Sequence, residues 1–404
     1  MRGGVTLEFL ESRRLFSGSL IPSFGTGGQV VGANFLPLAP NKLIPFGNGG
    51  AFVLSDDDVL IRLLPNGLPD TRFAGGSLDL GNNLRSFAAA PDGGVYVEVI
   101  DDSGATIQHY LKTGRLDQTF GGDGHLDLAS FVPIGPHGGS IGRMVVASDG
   151  SLYCEVAIGG TDPDYTYSLY HIPADGDKSK IAGTVVANSN PDGDISYNQI
   201  IVGSTGDVYL LSNGANGVTA YNANLRLITT FGTNGVALSG QNLSEGVVDS
   251  SGRLTLIELD QTSANTPHLV RLLSNGKLDT TFGSNGSVTL PLGSAGQVDP
   301  TGRELVLEPD GSYVVSTPVQ TSPNLNEGSR AGLTEYTSGG KVKTGAFGHG
   351  SDGLLTSKLG RLDGADLSIS AADDGDILLS TFITQATSDG HKADNDFLEE
   401  LSGT

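Results

Sequence analysis

Sixty of the 404 residues are glycine, about twice the usual share of roughly 7%, while 37% are hydrophobic and 17% charged, the balance of a turn-rich, all-β chain long enough to bury a core. Glycine does not recur at every third position, which excludes collagen, and the apolar residues fall in short alternating runs, which argues against disorder. With 45 acidic and 23 basic residues the formal charge is -22, and nothing in a row is more basic than Arg13-Arg14, so a nucleic-acid backbone would be repelled.

From the N-terminus onward two phrases alternate. The first is a connector built round an aromatic anchor: SLIPSFGTGGQV at 19–30 carries Phe24, GLPDTRFAGGSLDL at 67–80 carries Phe73, and GRLDQTFGGDGHLDL at 114–128 carries Phe120. A degraded copy, DGDKSKIAGTVV, occupies 175–186; then come Phe231 in LRLITTFGTNGVAL at 225–238, Phe282 in GKLDTTFGSNGSVTL at 276–290 and Phe347 in GKVKTGAFGHGSDGLL at 340–355. The second phrase is a hairpin turn running into a β-rich stretch: GNGGAFVLS, PDGGVYVEV, SDGSLYCEV, STGDVYLLS, SSGRLTLIE, PDGSYVVST and DDGDILLST. Both series have seven members at a shared period of about 50 to 60 residues, the signature of a repeat architecture.

Within a unit the alternation predicts four strands. After Phe282, SVTLPL reads as the first, RELVLEP as the second, SYVVSTP as the third and AGLTEYT as the fourth, with the Pro-Asp-Gly turn pairing the second with the third. Aligned fourth strands give an apolar column, Leu63, Tyr110, Ile172, Leu272 and Tyr336, expected to pack on a neighbouring sheet. One residue earlier, Arg62, His109, His171, Arg271 and Glu335 point to the opposite face.

Repeated four-stranded sheets arranged radially make a β-propeller, which leaves only short protected edges. The expected fold is all-β: a seven-bladed propeller of four-stranded antiparallel blades spanning 19–404, with the C-terminal strand DNDFLEELSGT completing the first blade. An open solenoid is the rival, but it would need polar caps at its ends, and here the termini read as complementary.

The phrase GxLDxTFGxxG, followed by a strand, a DG turn and YVV, resembles the delta-60 repeat, a bacterial unit, over about residues 19–404. At the start, LEFLESRRLFSG resembles the LEPR-XLL N-terminal motif of bacterial exported or surface proteins, with Ser12 where proline is usual. The resemblance implies an extracellular or cell-surface location and carries no catalytic residues over. Residues 1–18 lack the apolar core and cleavage site of a conventional signal peptide, and are expected to be poorly ordered or export-related.

Cys154 is alone, so no internal disulfide or CxxC site exists; it reads as a buried apolar residue. The seven histidines, His109, His125, His137, His171, His268, His349 and His391, contain no HExxH; His109 and His171 share a repeat position, and an interblade hydrogen bond is favoured over zinc. Acidic turns at Asp56, Asp57 and Asp58, at Asp162 and Asp164, at Asp192 and Asp194, and at Asp373, Asp374 and Asp376 lack the twelve-residue calcium loop. Structural turns are the favoured reading, with Asp56, Asp58, Asp192, Asp194, Asp374 and Asp376 as calcium candidates. Asp70, Asp117 and Asp279 recur in the Leu-Asp motif as turn caps, which together with the Phe anchors makes them structural repeat residues.

No GxSxG or GxxxxGK[ST] motif occurs, Trp is absent, and Tyr165, Tyr167 and Tyr170 are the one aromatic cluster. The expected function is therefore a non-enzymatic, exported binding or structural module, a monomer with a protein or polysaccharide ligand and no cofactor unless calcium. The alternatives are a hydrolase or lyase that cuts polysaccharide with carboxylates at the channel mouth, requiring an off-repeat cluster of Asp, Glu, His or Arg there, and calcium-dependent adhesion. Insertions at 159–168, 187–197, 318–331 and 383–395 are the first places to look for recognition.

Overall fold

The computed structural model describes residues 29–31, 40–46, 50–55, 59–81, 83–101, 104–133, 139–159, 165–188, 197–212, 217–259, 266–290, 304–320, 329–343, 355–356, 361–371, 377–386 and 392–401. The segment 1–18, Phe24, Phe347 and all six calcium candidates lie outside them.

Antiparallel sheets follow one another along the chain. The first joins Pro40–Phe46, Gly50–Ser55, Val59–Leu63 and Leu78–Asp79; the second Leu84–Ala89, Val95–Asp101, Gly104–Tyr110 and His125–Asp127. The third takes Gly139–Val146, Leu152–Gly159, Tyr165–Ile172 and Ala182–Asn188. Tyr197–Val202, Val208–Ser212, Val218–Tyr221 and Val236–Ala237 make the fourth, and Asn242–Val248, Leu254–Leu259, Pro267–Leu272 and Ser287–Thr289 the fifth. The sixth has eight strands, ordered Gln29–Val31, Lys392–Leu401, Ile377–Ala386, Arg361–Ala371, Ser329–Tyr336, Tyr313–Gln320 and Leu305–Leu307, with Leu355–Thr356 also paired to Ser329–Tyr336.

The first strand of each sheet lies beside that of the next, and Arg361–Ala371 lies beside both Leu305–Leu307 and Pro40–Phe46, so the innermost strands close a ring. The fold is an all-β propeller of antiparallel, four-stranded blades, and an open solenoid is excluded.

Three expectations need correction. Among the described residues the sheets number six, not seven, because a bridge between Ser329 and Leu362 fuses eight strands into one sheet. The first sheet takes no C-terminal strand; instead the N-terminal strand Gln29–Val31 is added to the C-terminal sheet, pairing Gln29 with Glu399 and Val31 with Phe397. Finally, the strand after each connector closes the preceding sheet and does not open the next: Ser287–Thr289 pairs with Pro267–Leu272. The cause is local. The connector folds back on the strand it leaves, with the Asp279 N–H donating to the Arg271 carbonyl at 2.8 Å, so the chain returns alongside before moving on.

The turns are made as the residue types dictate. At Pro309-Asp310-Gly311 the Asp310 carboxylate accepts the Ser312 N–H at 2.8 Å, and Gly311 supplies a φ of +86°. Most of both predicted columns is buried, Leu63, Ile172, Leu272 and Tyr336 on one face and His109, Arg271 and Glu335 on the other, while Tyr110, Arg62 and His171 are half-buried. Each blade is covered on both sides, so the core is a series of layers between blades. Phe73, Phe120, Phe231 and Phe282 all sit within these layers, at most 2% exposed.

Four junctions between blades are also stapled through the backbone. After the anchor Phe the chain donates an N–H to a turn carbonyl of the next unit: Ala74 to Thr113, Gly121 to Asp175, Gly232 to Asn275 and Gly283 to Gly339, at 2.8–3.0 Å. The residue following that carbonyl must be small. A Cβ on Gly276, whose φ is +76°, would stand 2.5 Å from the Gly232 nitrogen, and one on Gly176 would stand 2.9 Å from the Phe120 ring. Where the connector is degraded, between the third and fourth sheets, the equivalent residue is Leu225, at φ +56° and 4% exposed. It packs with Tyr153, Leu169, Ile200 and Leu210 in the one layer here that holds no phenylalanine.

Candidate functional site

Polar residues enter these layers at two levels. The outer level is the column on the third strand of each sheet. Arg62, His109 and Arg271 each meet the aspartate eight residues on: Arg62 with Asp70, His109 Nδ1 with Asp117 at 2.9 Å, and Arg271 Nε with Asp279 at 2.9 Å. In the eight-stranded sheet the polarity reverses, and Glu335 pairs with Lys343. In the fourth sheet the same two positions are Ala220 and Ile228, with the Ile228 N–H still donating to the Ala220 carbonyl at 2.9 Å.

Each aspartate also accepts the amide two residues on, from Arg72, Thr119 or Thr281, at 3.0–3.1 Å. The Arg72 side chain draws the Asp70 carboxyl below the usual range. Burial opposes ionisation of Asp117 and Asp279, but the Thr119 and Thr281 hydroxyls and amides and the facing His109 and Arg271 side chains outweigh it, so both are lowered as well.

This level joins neighbouring blades. Arg271 covers the Phe282 ring at 4.5 Å and donates to the Ser338 carbonyl of the following unit. His109 stacks on Tyr96 at 4.2 Å, and the Tyr96 hydroxyl donates to the Gly150 and Ala174 carbonyls at 3.2 and 3.3 Å. His171 stacks on Tyr153 at 4.7 Å. Each histidine thus lies on the tyrosine of its own sheet. Among the described residues no group of three or more His, Cys, Asp or Glu could hold a metal ion. Cys154 is fully buried and its thiol pushed up by burial, an apolar residue in effect.

The inner level lies at the axis. The first strand of all five four-stranded sheets carries a bulge at the same step: the register shifts between Pro40 and Lys42, Leu84 and Ser86, Ile141 and Arg143, Tyr197 and Gln199, and Leu243 and Glu245. A bulge re-aims side chains and frees backbone amides. The position just after it is not repetitive in chemistry: Ser86, Arg143, Gln199 and Glu245, with Glu304 opposite Ser316 in the next unit. Beside them on second strands lie Glu98 and Glu155, at 0% and 2% exposure.

These side chains also reach across to the adjacent blade. Glu98 accepts the Ile141 N–H at 2.8 Å, Gln199 accepts the Gly246 N–H at 2.8 Å while donating to the Glu245 carboxyl, and Glu304 accepts the Ile369 N–H. Arg143 meets Glu155 at 3.4 Å.

Burial pushes Glu98 up to about 7, against the pull of the Ile141 amide and Arg85. Glu245 is pushed up to about 8 by burial and by the nearby Glu304 carboxylate, opposed by Arg143 and the Gly246 amide. The axis thus holds a carboxyl biased toward its protonated form within electrostatic reach of a second carboxyl group and a guanidinium. The sequence carries a signal for this cluster, a polar residue interrupting an apolar first strand, but not for the bulge that sets its level.

No family model matches the chain, and no curated protein matches it. Among solved structures it is similar to regucalcin, a calcium-binding protein from Agrobacterium tumefaciens, at 18% identity and a TM-score of 0.42, over 80% of this chain and 97% of that one. It is similar as well to prolyl oligopeptidase B from Galerina marginata, at 12% identity and a TM-score of 0.46, over 87% of this chain and 45% of that one. A third is a putative glucose dehydrogenase from Thermus thermophilus, at 14% identity and a TM-score of 0.40, over 79% and 96%.

Proposed function

We propose that the protein is a non-enzymatic binding module on a closed propeller scaffold of the delta-60 repeat type. Residues 19–404 form one domain behind an export-related segment, and the molecule works as a monomer outside the cell or at its surface. In this reading the eight-stranded sheet counts as two of seven units, since each half brings its own innermost strand to the ring. The observation that carries the proposal is the use made of the polar groups. The aspartates cap turns and close ion pairs, and the axial Glu98, Gln199 and Glu304 hold amides of the neighbouring blade. Groups bound to the scaffold in this way have a structural task. Screening the purified protein against cell-wall polymers and surface proteins tests this; saturable binding without turnover is expected, and turnover abolished by one axial substitution would overturn it.

The axial cluster favours a second reading. Glu245, protonated near neutral pH, lies within electrostatic reach of Glu304 and Arg143, the complement a glycoside hydrolase needs for an acid and a base. It predicts polysaccharide cleavage that Glu245→Gln and Glu304→Gln each abolish.

A further inference from the structure

The third sheet differs from its neighbours at the rim. Its outermost strand, Ala182–Asn188, has seven residues, whereas those of the first, second, fourth and fifth sheets have two or three. The outer half of the third sheet therefore projects past the short outer strand of the second sheet. Between them is a groove of about 560 Å³, within the size range of small-ligand sites.

Its floor follows from strand alternation. Thr166, Ser168 and Tyr170 share one face of their strand, and Gly183 and Val185 continue it on the edge strand, paired with Tyr170 and Ser168. The opposite wall is the short helical turn after the second sheet, which brings Ser130 and Phe131 to the groove; Phe131 meets Tyr170 edge-on at 5.4 Å. Lys178 stands at the end. Its neighbour Lys180 is engaged by Asp175 and Asp177 at 3.4 and 3.0 Å, while among the described residues no carboxylate lies within ion-pair distance of Lys178. Val185, 60% exposed, forms the lip.

The rim here combines two aromatic rings, hydroxyls from Ser130, Thr166 and Ser168, and one ammonium. Aromatic faces suit the apolar side of a sugar ring, hydroxyls suit its edge, and the ammonium suits a carboxylate. A peptide would instead need a row of backbone partners, which the groove floor, being a side-chain face, does not offer. We infer that the groove between the second and third sheets binds an acidic oligosaccharide, a short run of uronate residues, seated on Phe131 and Tyr170 with one carboxylate on Lys178. The overall charge of -22 does not forbid this, because at physiological salt charges beyond about 8 Å are largely screened and the lysine at contact dominates. The inference rests on the binding-module reading and names its ligand class.

The test is calorimetric titration of the full-length protein with oligogalacturonates at low and high salt, with cello-oligosaccharides as the neutral control. Saturable binding that weakens with salt is expected, and Lys178→Gln and Phe131→Ala should each lower affinity about tenfold. Lys178→Gln, which closes no ion pair among the described residues, should leave the melting temperature unmoved, whereas Phe131→Ala, which also removes packing against the layer that holds Tyr170, should lower it modestly. Lack of uronate binding, equal binding of the neutral oligomers, or wild-type affinity in both variants would each overturn the groove assignment. Binding that persists in both variants leaves the binding-module reading intact and moves the site elsewhere. Cleavage of the oligomers, lost in Glu245→Gln, sinks the binding-module reading instead.

Discussion

Two adjacent junctions solve one packing problem in opposite ways. Between the second and third sheets, Phe120 fills the layer and Gly176 of the next unit leaves room for it, with the Gly121 N–H on the Asp175 carbonyl. Between the third and fourth, the connector carries no phenylalanine, and the place of the glycine is taken by Leu225, whose side chain enters the layer from the other side. The volume is conserved across the junction while the residue supplying it changes blade. A glycine in this repeat thus makes room for both the backbone amide and the phenylalanine of the neighbouring connector, and where that connector is degraded its successor fills the layer with a leucine.

The comparison can be broken at its strongest point. Phe120→Ala should destabilise by about 4 kcal/mol, the loss typical of a large aromatic removed from a packed core. Gly176→Leu alone should also be worse than wild type, because its Cβ would stand 2.7 Å from the Gly121 nitrogen and 2.9 Å from the Phe120 ring; combined with Phe120→Ala it should cost less than the sum of the two, since the second clash is then gone. Chemical denaturation of the three variants measures this; an additive double mutant would show that the junctions are not exchangeable.

Leu225→Ala is expected to cost somewhat less, about 3 kcal/mol. The left-handed backbone is strained for either residue, so the change in melting temperature reports the lost packing alone.

A smaller, pH-dependent effect separates this outer packing from the axis. Glu98 and Glu245 are raised in the folded state, to about 7 and about 8, so the fold binds more protons than the unfolded chain between pH 4.5 and those values. Stability is then greatest near and below the unfolded value and falls as pH rises through the folded one. Glu98→Gln, whose amide oxygen still accepts the Ile141 N–H, should flatten that fall by at most about 3 kcal/mol; thermal melts from pH 5 to 9 check it. The lowered Asp70, Asp117 and Asp279 act in the opposite sense, their contribution disappearing only as pH drops below the ordinary carboxylate range.

Much of the scaffold was legible. Connector, hairpin turn and apolar column each recur, and the anchors Phe73, Phe120, Phe231 and Phe282 lie in the layers between blades. The ion-pair level was legible in principle, since Arg with Asp, His with Asp, and Glu with Lys recur eight residues apart; reading the aspartates as turn caps alone hid their second partner. The sheet to which each closing strand belongs was not legible, because alternation gives a strand's faces and not its neighbour. Nor was the axial bulge, which inserts one residue without altering composition.

Closure of the ring by Gln29–Val31 on Lys392–Leu401 has a kinetic side. The two partners lie more than 360 residues apart in the sequence, so during synthesis the early strand stays unpaired until the later one has left the ribosome. Intermediate blades can form one by one from local contacts, whereas this pairing closes a loop of several hundred residues and carries a correspondingly larger loop-closure entropy. Until it happens, the final sheet presents a bare edge to other nascent copies, and crowded expression turns that interval into an opportunity for misassembly.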